Sequence, residues 1–70
     1  MRFGENHMNN WFVFIMLTVN DDKLLAIDND KSILEKHDIV IHWNLTKEDA
    51  LSTMYEYSNK HNIKTVNYNQ

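Results

Sequence analysis

Residues 9–19, NNWFVFIMLTV, form the most apolar stretch of a 70-residue chain otherwise rich in Asn, Asp and Lys. The fold depends on what this stretch forms. Its apolar part, residues 11–19, is too short to cross a bilayer, which takes ~20 apolar residues in a helix. A secretory signal has a basic region before the apolar run and a small-residue cleavage site after it. Here Asn20-Asp21-Asp22-Lys23 follows instead. The stretch is rich in aromatic and β-branched residues and ends at a turn cluster, which predicts a β-strand. Both of its faces are apolar: Trp11, Val13, Ile15, Leu17 and Val19 at odd positions, Phe12, Phe14, Met16 and Thr18 at even ones. A sheet covered by a helix on one side alone shows polar residues on its other side. Two readings follow for the surplus apolar face. A second subunit or partner protein covers it, or residues 29–36 and the terminal segment do.

Working outward, Lys23 to Asp28 predicts a second strand, joined to the first by a hairpin. A two-residue turn at Asp21-Asp22 sets Val19 opposite Leu24, Leu17 opposite Ala26 and Ile15 opposite Asp28; both turn residues tolerate positive φ. Residues 29–36 (NDKSILEK) predict a single helical turn or irregular crossover, with Asp30 as N-cap. Residues 38–44 (DIVIHWN) predict a third strand, with Ile39, Ile41 and Trp43 on one face and Asp38, Val40 and His42 on the other.

A helix begins at Leu45-Thr46-Lys47-Glu48-Asp49-Ala50. Thr46 is its N-cap, Glu48 and Asp49 favour the positive end of the helix dipole, and Leu45 with Ala50 forms a hydrophobic staple. Ala50, Leu51, Met54, Tyr57, Ser58 and His61 share one side. Asn62 suits a left-handed C-cap, and residues 63–68 (IKTVNY) predict a final edge strand. A helix start like Thr46, Glu48, Asp49, Ala50 after a strand is found in many small α+β domains and transfers no function.

The fold class is therefore α+β. A small antiparallel or mixed sheet of about four strands, in the order β-β-short helical turn-β-α-β, carries one amphipathic helix on one face. Residues 9–70 make one domain. Residues 1–8 read as a disordered tail or a non-native start, because they lack apolar periodicity and precede a second methionine, Met8.

Composition narrows the functions. The chain has no Cys, which excludes disulfides, thiolate zinc sites and thiol nucleophiles. Its net charge is −3, and its seven basic residues are scattered. Nucleic-acid binding therefore has no basic stripe to act through, and −3 is too mild for an acidic DNA mimic. One Gly and no Pro beside abundant Asn, Lys and Ile suggest an AT-rich genome, such as a low-GC bacterium or its phage.

Asp28-Asn29-Asp30-Lys31-Ser32 starts like a calcium loop, but Ile33 stands where the loop needs Gly and Ile39 where it needs Glu, so turn chemistry explains it. His37 and His42 have opposite strand parity and do not share a metal. No cofactor motif is present.

The expected function is a small non-enzymatic protein-interaction module, a cytoplasmic phage or prophage inhibitor or regulator of a host protein. It acts as a homodimer or by docking on a larger target. The expected partner-binding residues are Trp11, Phe12 and Phe14 on the surplus face, with Trp43 and Tyr55. The alternative is a minimal enzyme or small-ligand-binding domain using His42 and Asp38 near a subunit interface.

Overall fold

The computed structural model describes residues 9–66. The readings of residues 1–8, and of 67–70 at the end of the expected last strand, lie outside the described residues. The elements are β1 (Trp11–Leu17), β2 (Lys23–Asp28), a 3-10 turn (Lys31–Ile33), β3 (Ile39–Leu45), α1 (Lys47–His61) and β4 (Lys64–Thr65). They form one four-stranded mixed sheet in the order β3-β1-β2-β4 with a single helix. The α+β class and the element order are as the sequence implies.

Strand β1 pairs antiparallel with both β2 and β3, so β2 and β3 run parallel to each other; β4 runs parallel to β2. Parallel strands need crossover connections, and this chain makes two. Residues 29–38 carry the chain from β2 past β1 to β3, and α1 carries it from β3 to β4 on the far edge. The two crossovers lie on opposite faces of the sheet. On one face Ala50 and Met54 of α1 pack against Val13, Ile15, Leu25 and Ile27, flanked by Trp11, Ile41, Leu45, Leu51, Tyr57 and Ile63. On the other, Leu34 from the first crossover packs with Met16, Val40 and Val66 around Phe12, Phe14 and Ala26. The surplus apolar face of β1 is thus covered from within the chain, and the second of the two readings holds.

The hairpin differs from expectation. Leu17 pairs with Lys23, Ile15 with Leu25 and Phe12 with Asp28. The loop has three residues, 19–21, because Asp21 alone takes the left-handed conformation, at φ 66°. The Asp21 N–H donates to the Thr18 carbonyl at 3.0 Å and the Thr18 N–H to the Asp22 carbonyl at 2.8 Å. Thr18 Oγ1 also accepts from the N–H groups of Asn20 and Asp22, both at 3.2 Å. This is a tight turn closed by a left-handed residue, the usual three-residue hairpin. Changing the loop by one residue reverses the facing of β2 relative to β1: Leu25 and Ile27 join Ile15 and Val13 under the helix, and Ala26 joins Phe14.

Strand β3 departs from simple alternation. Phe14 pairs with Val40 but Trp11 with Leu45, so three steps along β1 match five along β3. Two extra residues are absorbed by bulging between Val40 and Leu45, where Asn44 sits at φ 62°. Ile41 consequently packs toward the helix while Trp43 lies on the opposite face, its ring 5.3 Å from that of Phe12. The expected grouping of Ile39, Ile41 and Trp43 on one face is corrected by this bulge.

Both ends of α1 are built as expected. Thr46 Oγ1 accepts from the Asp49 N–H at 3.1 Å, Leu45 packs against the helix-side core to which Ala50 belongs, and Asn62 caps the C-terminus at φ 58°, ψ 46°. The Ser58 hydroxyl donates to the Ile63 carbonyl and helps turn the chain into β4. Among the described residues this last strand is only Lys64–Thr65, extended by the Val66 N–H donating to the Leu25 carbonyl at 2.8 Å.

Candidate functional site

Both hydrogen-bonding neighbours of β1 do not run its full length. The first residue of β3, Ile39, lies opposite Ile15, while the β1–β2 hairpin continues to Leu17 and Lys23. Met16 and Leu17 therefore project past the β3 edge. The first crossover passes over Phe14 and then descends to β3, so it leaves the hairpin end of this face open. The result is an open hollow of about 520 Å³, lined by Phe14, Met16, Leu17, Thr18, Asp21, Ile33, Glu35, His37 and Asp38. Its size falls in the range of ordinary ligand clefts, ~300–1,000 Å³.

Phe14 and Met16 give the floor of the hollow, and Leu17 and Ile33, 45 % and 41 % exposed, its apolar walls. Ile33 and Leu34 are adjacent at the end of the 3-10 turn and diverge: Leu34 packs into the core and Ile33 stays outside. Three carboxylates line the rim, Asp21 from the hairpin loop and Glu35 and Asp38 from the crossover, with His37 between them. Among the described residues no Lys or Arg lines it. Asp38 is held in a local turn: its carboxylate accepts from the Glu35 N–H at 3.0 Å and its own N–H donates to the Glu35 carbonyl at 3.0 Å.

A second hollow lies on the helix side, between β3 and α1, lined by His42, Thr53, Glu56, Tyr57, Asn59, Lys60 and His61. The Tyr57 and His61 rings lie 4.2 Å apart there. His42 belongs to this hollow and Asp38 to the other, across the sheet, because the β3 bulge places His42 opposite Val13 on the helix side. The structure does not bring the expected His42 and Asp38 pair together. No group of three or more His, Cys, Asp or Glu side chains placed to hold a metal ion occurs among the described residues.

The expected partner-binding residues separate as well. Phe12 and Phe14 are buried, 0 % and 2 % exposed, so neither offers its ring as a free surface. Trp11 is half-buried on the helix side, not beside Phe12 and Phe14, since successive strand residues face opposite ways. The Lys47 ammonium lies over its ring at 5.5 Å. Trp43 is half exposed and covers Phe12, with the Lys31 ammonium over its own ring at 5.1 Å. Tyr55 is half exposed on α1, on the other side of the sheet from Trp43.

The Asp28–Ser32 carboxylates serve local turns. Asp28 accepts from the N–H groups of Asn29 and Asp30 at 2.7 and 3.0 Å, and Asp30 from the Ser32 hydroxyl and N–H at 2.7 and 3.0 Å. The Ser32 hydroxyl first, and its N–H second, hold the Asp30 carboxyl below its ordinary value of 3.8.

Comparison with protein-family models, curated protein sequences and solved structures finds no match to this chain. The site therefore stands on its own geometry. Of the partner-binding residues expected from sequence, Phe14 alone lines the first hollow, as part of its floor. Leu17, Ile33 and the carboxylates around them line it without having been singled out from sequence for that role. One signal for them is present in the chain: the crossover carries a single apolar pair, Ile33-Leu34, too little to cover a seven-residue strand. No helix among the described residues is long and apolar enough to cross a membrane.

Proposed function

We propose that this chain is a small non-enzymatic interaction module that docks on a larger protein through the hollow at the open end of its second face. One observation carries this reading. Leu17 and Ile33, both about half exposed, line the hollow together with the partly buried Met16 and the buried Phe14. Clustered exposed apolar side chains rimmed by polar groups mark interaction sites. The chain's own crossover covers the rest of this face, so docking here is confined to the open end. A cytoplasmic phage or prophage inhibitor or regulator of a host protein acts in this way, and the AT-rich composition fits such an origin.

The test is affinity enrichment from the native host with two baits, the wild-type chain and a Leu17→Asp, Ile33→Asp variant. Both positions are exposed, so the variant keeps its fold, checked by its amide NMR spectrum. The expected result is a partner held by the wild type and lost by the variant. A partner held equally by both, or none held by the wild type, would overturn the reading.

A further inference from the structure

We infer that the hollow takes a cationic segment of its partner protein, one bulky apolar side chain flanked on both sides by lysines or arginines. This rests on the docking reading above and adds the chemistry of what docks. The floor accepts the apolar side chain: Met16 is flexible and polarisable and adapts to irregular shapes, over the edge of the buried Phe14 ring. Leu17 and Ile33 flank it from two different chain segments. The rim fixes the charge. Asp21 stands at the hairpin loop, and Glu35 and Asp38 at the end of the crossover, so carboxylates come from both segments that border the apolar floor. An occupant with cations on one side alone would leave one of those segments unmatched. An acidic or phosphate-bearing occupant would place like charges against all three. Complementary potentials of this kind choose partners and steer their approach more than they add affinity. Among the described residues no Lys or Arg contributes to the lining.

The test uses the full-length, isotope-labelled chain titrated with three synthetic hexapeptides, followed by amide NMR shifts. The probes are Lys-Lys-Leu-Phe-Lys-Lys, its acidic counterpart Glu-Glu-Leu-Phe-Glu-Glu, and Lys-Lys-Ser-Asn-Lys-Lys, which keeps the charge and lacks the apolar pair. The first is expected to shift amides of residues 14–18 and 33–38 and to saturate near about 1 mM or below. Raising salt from about 0.05 to about 0.5 M shortens the screening length severalfold and is expected to weaken it about tenfold. An Asp21→Asn, Glu35→Gln, Asp38→Asn variant is expected to weaken it by about tenfold as well, each exposed pair contributing up to about fivefold. Asn keeps the left-handed turn at position 21 and an acceptor at position 38, so this variant retains the fold, which its spectrum verifies. The other two peptides are expected to leave the hollow unshifted.

Absence of a saturable shift at the hollow, equal binding of the acidic peptide, or binding insensitive to both salt and the amide variant would each overturn the inference. Binding of the acidic peptide alone at these residues would overturn the cationic assignment and leave the docking reading standing. Retention of the host partner by the Leu17→Asp, Ile33→Asp variant would overturn the docking reading whatever the peptides do.

Discussion

Thr46 satisfies the first turn of α1 by accepting the Asp49 N–H at 3.1 Å. Replacing such a cap by Ala costs about 1 kcal/mol, a large share of the ~3–5 kcal/mol that a core of this size supplies. Thr46→Ala is expected to lower the thermal midpoint by about 4–8 °C, read by circular dichroism. Asp30 gives a pH signature. Its folded carboxyl lies below 3.8 because Ser32 donates to it twice, so the unfolded chain binds that proton more readily. Its contribution to stability is full above the unfolded value and is lost as pH falls through the folded one. An NMR titration of the Asp30 carboxyl should give a midpoint below 3.8, and Ser32→Ala should move it back up. These residues were legible from sequence because a cap needs only a residue type and a spacing of two or three. The hairpin loop was not, since Asp21 and Asp22 both tolerate left-handed backbone, and only three-dimensional closure selects Asp21.

At the scale of the element, β1 is the strand whose two faces belong to two cores. Phe12 is closed over by Phe14 and Trp43, with ring centroids 5.5 and 5.3 Å away. Phe12→Ala is expected to cost about 3–5 kcal/mol, enough to unfold a domain this small. Trp43→Ala removes a half-exposed lid and should cost about 1–2 kcal/mol, from its aromatic pair with Phe12 and its contact with Lys31. Urea unfolding of the two variants checks the order. An equal or larger loss from Trp43→Ala would show that Phe12 is not the anchor. The strand itself was legible from its β-branched and aromatic composition, but its register was not. With apolar residues on both faces, pattern alone does not say which face of β2 it meets, and one loop residue decides it. The bulge in β3 broke parity again, separating Trp43 from Ile41 and His42 from Asp38.

At the scale of the molecule, the two crossovers close both faces of one sheet, so α1 and the 29–38 segment each depend on β1. Sedimentation equilibrium is expected to find a monomer at high micromolar concentration, since the face once open to a second subunit is filled by Leu34, Val40 and Val66. A concentration-dependent dimer would return self-association as the working mode. The fold class and element order were legible because each element carries its own local signal. The hollow was not, because it is assembled from the hairpin end, its loop and the crossover, and it exists only where the hairpin outruns β3.

The two surplus residues of β3 have a consequence beyond which side chains face where. Among the described residues β3 is an outer strand of the sheet, with no strand neighbour along one side, and such a border invites growth by addition of further chains. A regular strand laid against it would match only a few positions before the irregularity from Val40 to Leu45 threw it out of step. Bulges of this kind are a recognised guard against edge-to-edge assembly. The irregularity that hid His42 and Trp43 from a sequence reading thus also guards a small, strand-rich protein against edge-to-edge polymerisation.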